Sequence, residues 1–291
     1  ALLARAYFIS RDEQPLIDLQ SSLLEKDNEV FAEVTAYLAL LQLTGGDEAG
    51  KDTVALLNES ASNQYFSGLS TAYLTFSNGD AKASASQLVS LLKQRPDNPE
   101  AVMLAGQVYS QLEEFKQAAS YFKKYLQLQP EQKYVTLFLA EALVKDENYV
   151  EGESYVDSIL KSLPEQPVAN YLKALIKFTN KDYDAALSFS DVALRGSYNT
   201  PYLQLIAGSS AFYLNNFERA HHHLNTVYPY LIPEHPARKM FAVSQLKLGQ
   251  LESLSENLED FEVNNETDAA FLSSLSFNLY NLGATKEAKN I

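Results

Sequence analysis

PEAVMLAGQVYSQLEEFKQAASYFKKYLQLQP, running from Pro99 to Pro130, is the stretch that decides the fold. Its first half places Val102, Ala105, Gly106 and Tyr109 at i, i+3, i+4 and i+7, the spacing that gathers side chains on one face of a helix. A short polar turn, Glu113-Glu114, follows. The second half carries Phe115, Ala118, Phe122 and Tyr125 on a second apolar face, and Pro130 ends it, because proline has no N–H to give a helix interior. The stretch therefore predicts a helix A, a tight turn and a helix B.

The same pattern recurs in both directions with a period of 34 residues. The small-residue slot of helix A falls at Ala4, Leu38, Ala72, Gly106, Ala140, Ala174, Gly208, Ala242 and Ser276, where only Leu38 is large. Twelve residues later the helix B slot reads Leu16, Gly50, Ser84, Ala118, Gly152, Ala186, Ala220, Leu254 and Ala288. Small residues at paired slots let two helix backbones approach closely. On that register Ala140→Leu would overpack the A–B contact at a cost of about 1–3 kcal/mol. Turn signals fall where the register puts the A–B junction: Gly45-Gly46, Asn78-Gly79-Asp80, Asn215-Asn216, Gly249 and Gly283. A fixed period over the whole chain is the mark of a solenoid, in which each repeat stacks on its neighbours.

Slot by slot, this resembles the tetratricopeptide repeat. The match lies in the small residue at slot 8, the aromatic residue at slot 17 (Phe115, Tyr149, Tyr183, Phe217), the small residue at slot 20 and the proline at slot 32 (Pro96, Pro130, Pro164). The family's tryptophan at slot 4 is missing, and the chain has no Trp. The resemblance implies an all-α, right-handed superhelical solenoid of about 8–9 helix–turn–helix repeats. It predicts one domain over residues 1–291, with repeats beginning near 31, 65, 99, 133, 167, 201, 235 and 269 and partial repeats at both ends. Ala1 falls within a first helix and Ile291 just inside a second, so the stretch is expected to be a segment of a longer protein.

Composition narrows the function. A net charge of −14 lacks the Lys and Arg that phosphate backbones and anionic membrane surfaces require; Lys123-Lys124 and Arg238-Lys239 are isolated pairs. Nucleic acid is therefore disfavoured. No apolar run reaches the length that spans a bilayer, so membrane insertion by this segment is not expected. There is no cysteine, which removes thiol catalysis, disulfides and thiolate metal sites. His221, His222 and His223 are consecutive, and helix geometry points them about 100° apart, so a polar outer face is expected rather than a metal site. The acids Glu256, Glu259, Asp260, Asp146 and Glu147 read as solvated surface. Phosphate-loop and serine-hydrolase motifs are absent, and no cofactor or catalytic role is expected. Asn58-Glu59-Ser60 and Asn265-Glu266-Thr267 match the N-glycosylation pattern, which is too common to weigh.

In the family, A helices line a concave groove, through slots near 2, 5, 9, 12 and 13. Here those slots are rich in rings. The candidate groove residues are Phe66, Tyr73, Phe76, Gln107, Tyr134, Glu141, Tyr171, Phe178, Tyr202, Phe212, Tyr213, Phe277 and Tyr280. Each ring taken alone is expected to pack between neighbouring A helices before it is expected to bind. The set as a whole is expected to leave an aromatic surface exposed. Lys and Asn at slots 5 and 9, which family members use to clamp a carboxylate terminus, are replaced here by Met103, Leu137, Tyr171, Leu205 and by Gln107, Glu141, Leu175, Ser209. The expected function is a scaffold or adaptor that binds a protein or peptide segment along several A helices. The style of the repeats also resembles large bacterial envelope proteins of the exopolysaccharide-export and exosortase kind. That alternative implies a periplasmic, lipid-anchored protein whose groove contacts glycan. The segment itself fixes no compartment.

Overall fold

The computed structural model describes residues 2–23, 28–59, 64–258 and 261–290. The described residues form eighteen α-helices and one short 3-10 helix, with no strand among them. The chain divides into two compact units, Ala1–Asn148 and Tyr149–Ile291.

Unit one holds α1 (Leu2–Ser10), α2 (Glu13–Ser22), α3 (Glu29–Gly45), α4 (Ala49–Glu59), α5 (Gln64–Ser77), α6 (Ala81–Gln94), α7 (Pro99–Gln111), α8 (Phe115–Leu128) and α9 (Val135–Lys145). Unit two holds α10 (Tyr149–Ser162), α11 (Pro167–Thr179), α12 (Tyr183–Arg195), α13 (Pro201–Tyr213), α14 (Phe217–Val227), α15 (Pro236–Lys247), α16 (Leu251–Leu258), α17 (Glu266–Asn281) and α18 (Thr285–Asn290). Within each unit successive helices pack as antiparallel hairpins, and A helices also pack against the next A helix, as α3 does on α5 and α11 on α13.

Local chemistry sets the boundaries. Pro99, Pro167, Pro201 and Pro236 open their helices, where the missing N–H costs nothing and φ is already helical. Asn98, Gln166 and Thr200 cap those first turns through their side-chain oxygens. The A–B junction repeats one device. A single residue in the left-handed region ends helix A, at Arg11, Gly46, Gly79, Glu113, Glu147, Lys181, Asn215, Gly249 and Gly283. The next residue closes a wide turn: Glu114 N–H donates to Tyr109 O at 2.9 Å, and Asp182 N–H to Lys177 O at 2.9 Å. That residue then starts helix B, and the side chains of Asp80, Asp182 and Asn216 cap it. From Gly79 onward these left-handed residues recur every 34 positions, so the sequence register is also a backbone register.

The small slots act as the register requires. Ser84 Oγ donates to Ala72 O at 2.9 Å and Ser276 Oγ to Ala288 O at 2.5 Å, so the A and B backbones lie within reach of one hydroxyl. A Cβ on Gly106 would stand 2.5 Å from the Phe122 ring, and one on Gly208 2.7 Å from Leu224. The core is a row of such contacts, each buried between hairpins, with Ala72, Leu104 and Ala105 in one stretch and Ala207, Leu224 and Phe241 in another.

One sequence expectation needs correction. The histidine trio is not a polar outer face. Only His222 is exposed; His221 stacks on Phe241 at 5.0 Å, and His223 is buried with Nδ1 2.7 Å from Gln204 Oε1. The reason is helix rotation: α14 turns His223, beside the buried Leu224, toward α13. No group of three metal-ligating side chains converges among the described residues. Asp146, Glu147 and Glu256 are exposed, as expected, while Glu259, Asp260 and Ser60 of the Asn58 motif lie outside the described residues. Asn265 caps α17, accepting from Asp268 N–H at 3.0 Å.

Candidate functional site

In unit one the A helices of five consecutive repeats line a cavity of about 700 Å³. α1 contributes Phe8 and Ile9, with Arg11 just after it; α3 contributes Leu41, Leu43 and Thr44. α5 brings Tyr73, Phe76 and Ser77, and α7 brings Glu100, Met103 and Gln107. Phe138 of α9, Tyr134 before it, Gln132 and Tyr125 of α8 complete the wall. Volume and lining match the usual small-ligand or side-chain pocket: mainly apolar and aromatic walls with a few convergent polar groups.

Four candidate groove residues meet here: Tyr73, Phe76, Gln107 and Tyr134. Gln107 also borders a smaller cavity of about 330 Å³ with Glu141, Phe115, Phe138 and Lys145, where Lys145 Nζ pairs with Glu141 at 2.9 Å. Phe66 does not reach either cavity wall. It is buried beside Tyr65, and the Arg95 guanidinium lies over both rings at 4.4 and 5.0 Å.

The polar centre of the larger cavity is Glu100, which is only 5% exposed. Its Oε1 accepts from Arg5 Nε at 2.8 Å, across 95 residues of sequence. Its Oε2 has no partner. Tyr73 donates its hydroxyl to the Glu100 carbonyl at 3.2 Å. Burial, and after it the negative charge of Glu100, pushes the Tyr37 and Tyr73 hydroxyls well above the usual phenol range. Arg5 offsets that charge at Oε1, so the carboxylate stands in the cavity wall as half of an ion pair. Arg11, exposed at the rim, is the cation among the described lining residues.

In unit two the candidates form two aromatic groups. Tyr171 is buried, 5.0 Å from Tyr198 and 6.5 Å from the exposed Tyr202. Phe178 packs on Tyr183 at 5.8 Å, Tyr183 stacks on Tyr213 at 4.3 Å, and Phe212 meets Tyr213 and Phe217 edge-on. Phe277 and Tyr280 stand on α17 and are each 65% exposed. The thirteen candidates thus divide. Phe66, Tyr73 and Tyr171 are buried. Phe76, Gln107, Glu141, Phe178 and Phe212 are half-buried, and Tyr134, Tyr202, Tyr213, Phe277 and Tyr280 are exposed.

Sequence reasoning passed over Glu100, Arg5, Tyr125, Phe138 and Tyr198. A signal for Glu100 existed: it occupies slot 2 of its repeat, the same inner slot as Phe66, Tyr134 and Tyr202. Arg5 and Tyr125 carried none, since their role depends on what a distant helix brings to them. No helix among the described residues is long and apolar enough to cross a membrane.

Two family models described as tetratricopeptide repeat match residues 69–133 and 111–176. No curated protein matches the chain. Among solved structures, PilF of Pseudomonas aeruginosa is similar over 74% of this chain and 97% of its own, at 15% identity and a TM-score of 0.57. A tetratricopeptide repeat protein of Parabacteroides merdae is similar over 82% of this chain and 96% of its own, at 15% identity and a TM-score of 0.53. The Cut9–Hcn1 assembly of the APC/C aligns with 91% of this chain and 56% of its own, at 12% identity and a TM-score of 0.59. At those identities the likeness is one of fold. With the 34-residue register, the left-handed turns that repeat with it and the matched models in agreement, the chain belongs to the tetratricopeptide-repeat family.

Proposed function

We propose that the chain is a non-catalytic scaffold or adaptor that holds a segment of a partner protein against the inner faces of its A helices. The observation that carries this reading is the aromatic cavity of unit one, built from five consecutive A helices. A segment laid across those helices would bury ring surface at low entropic cost, with Gln107, Gln132 and the tyrosine hydroxyls supplying polar contacts. The exposed Tyr202 and Tyr213 offer unit two a second, smaller contact region.

Selection from a random 12-residue peptide display library, followed by fluorescence polarisation with the selected peptides, tests the reading. Because Tyr134, Tyr202 and Tyr213 are exposed, truncating them disturbs the fold little. Tyr134→Ala should weaken peptides that bind unit one at least tenfold, and Tyr202→Ala/Tyr213→Ala those that bind unit two. Selection of no peptide, or equal affinity for wild type and both variants, would refute it.

A further inference from the structure

The cavity of unit one contains a contradiction that a ligand would resolve. Glu100 is 95% buried, yet one carboxylate oxygen, Oε2, lacks a donor. A buried carboxylate oxygen without a hydrogen bond is costly, and native structures give such a group a partner from the protein, an ordered water or a bound ligand. Arg5 occupies Oε1 alone, through its Nε. The same cavity is lined by Tyr73, Tyr134 and Phe138, aromatic rings of the kind whose faces attract a cation, and by Met103. The chain's net charge of −14 adds long-range attraction for a basic segment.

We propose that this cavity takes the basic side chain of an arginine or lysine in the partner segment, with Glu100 as counter-charge and the rings of Tyr73, Tyr134 and Phe138 as walls. The inference rests on the partner-segment reading above and specifies what anchors the segment. It is the reverse of a site for an acidic terminus: the open group at the centre is the acceptor Oε2 of Glu100, whose Oε1 Arg5 already holds, and the second cation comes with the guest.

The chain carries its own reporter. It has two methionines: Met103 lines the cavity, while Met240 lies in unit two, packed against the core around Phe241. Methyl-13C methionine labelling of the full chain gives one signal for each, and Met240→Leu assigns them. The probes are N-acetyl-arginine amide, N-acetyl-lysine amide, the neutral isostere N-acetyl-citrulline amide, and cellobiose. The arginine and lysine probes should move the Met103 signal saturably and leave Met240 unmoved, and citrulline should bind at least tenfold more weakly. Glu100→Gln should weaken arginine at least tenfold and erase its advantage over citrulline. Tyr134→Ala, at an exposed position, should weaken it as well, which keeps the test valid should Glu100→Gln unfold. Unliganded thermal melts of each variant report folding.

Equal binding of arginine and citrulline overturns the proposal. So does a cellobiose response stronger than that of arginine, or a Met103 signal silent to every probe. A silent Met103 alongside display peptides that still depend on Tyr134 or on Tyr202 and Tyr213 would remove the basic anchor alone. Loss of both would remove the partner-segment reading with it.

Discussion

Gly106→Ala tests the helix packing at its tightest point. An alanine Cβ there would lie 2.5 Å from Phe122 Cε1, 2.7 Å from Cδ1 and 3.0 Å from Cζ. Ordinary carbon contacts sit at about 3.5–4.0 Å, so the ring must retreat by roughly 1 Å. It has little room, because Phe122 is 2% exposed and its ring packs on Phe138 at 5.8 Å. Overpacking of this kind costs about 1–3 kcal/mol, and a well-confined ring belongs at the upper end. Replacing glycine by alanine in a helix returns about 1 kcal/mol. The net expectation is a loss of about 1–2 kcal/mol. Gly68→Ala is the internal control, because its Cβ would meet only the flexible end of Leu91, at 3.2 Å. That variant should match the wild type or exceed it by up to about 1 kcal/mol. The same two slots hold Ala72 and Leu88 one repeat earlier, so Gly106→Ala/Phe122→Leu recreates a pairing the chain already uses. The double variant should show a favourable coupling of about 1–2 kcal/mol relative to the summed single effects. Urea titrations followed by far-UV circular dichroism measure the wild type, the three single variants, Phe122→Leu among them, and the double variant. A Gly106→Ala protein as stable as Gly68→Ala, with no coupling to Phe122, would refute the close-approach argument.

The remaining predictions concern the turns and the buried histidine. Lys181 holds φ at 61°, a region costly for a residue with a Cβ, so Lys181→Gly should stabilise the chain by about 0.5–1 kcal/mol, whereas Gly249→Ala, at φ 72°, should destabilise it by about 1 kcal/mol. Thermal melts of both variants decide it, and a loss of stability in Lys181→Gly would count against the account of the junctions. Burial, then the neighbouring His222 and Arg219, lowers the His223 pKa from 6.5 to about 4. An amide oxygen only accepts, so the contact with Gln204 Oε1 places a proton on Nδ1, and burial disfavours a second one on Nε2. The unfolded chain binds a proton near pH 6.5 and the folded chain only near 4, so stability falls as pH drops through that window, by up to roughly 3 kcal/mol. His223→Gln should flatten that part of the stability profile in urea titrations run between pH 7 and 4.5; an unchanged slope would assign the loss to other groups.

The fold was readable because repetition averages out local ambiguity. Slot 17 falls on the first residue of helix B in four successive hairpins, at Phe115, Tyr149, Tyr183 and Phe217. The turn slot is left-handed even where Glu113, Glu147 and Lys181 give no composition signal. Exposure was less readable. A slot fixes which side of its own helix a ring occupies, not what the next repeat lays over it. Phe66 and Tyr202 share slot 2, yet Arg95 covers the first while the second is 50% exposed. The Glu100–Arg5 pair was out of reach for a different reason: a period describes neighbours, and this contact skips two repeats.

That pair alters how unit one should come apart. A stack of hairpins held by neighbour contacts opens like a zipper, its end hairpin fraying at little cost. The ion pair between α1 and α7 ties the end of the zipper to its fourth tooth. Releasing α1 then strands a buried carboxylate in the middle of the stack, so the first hairpin gains the stability of the interior. Amide hydrogens of α1 and α7 should exchange together rather than in order along the chain, making the whole unit one cooperative block.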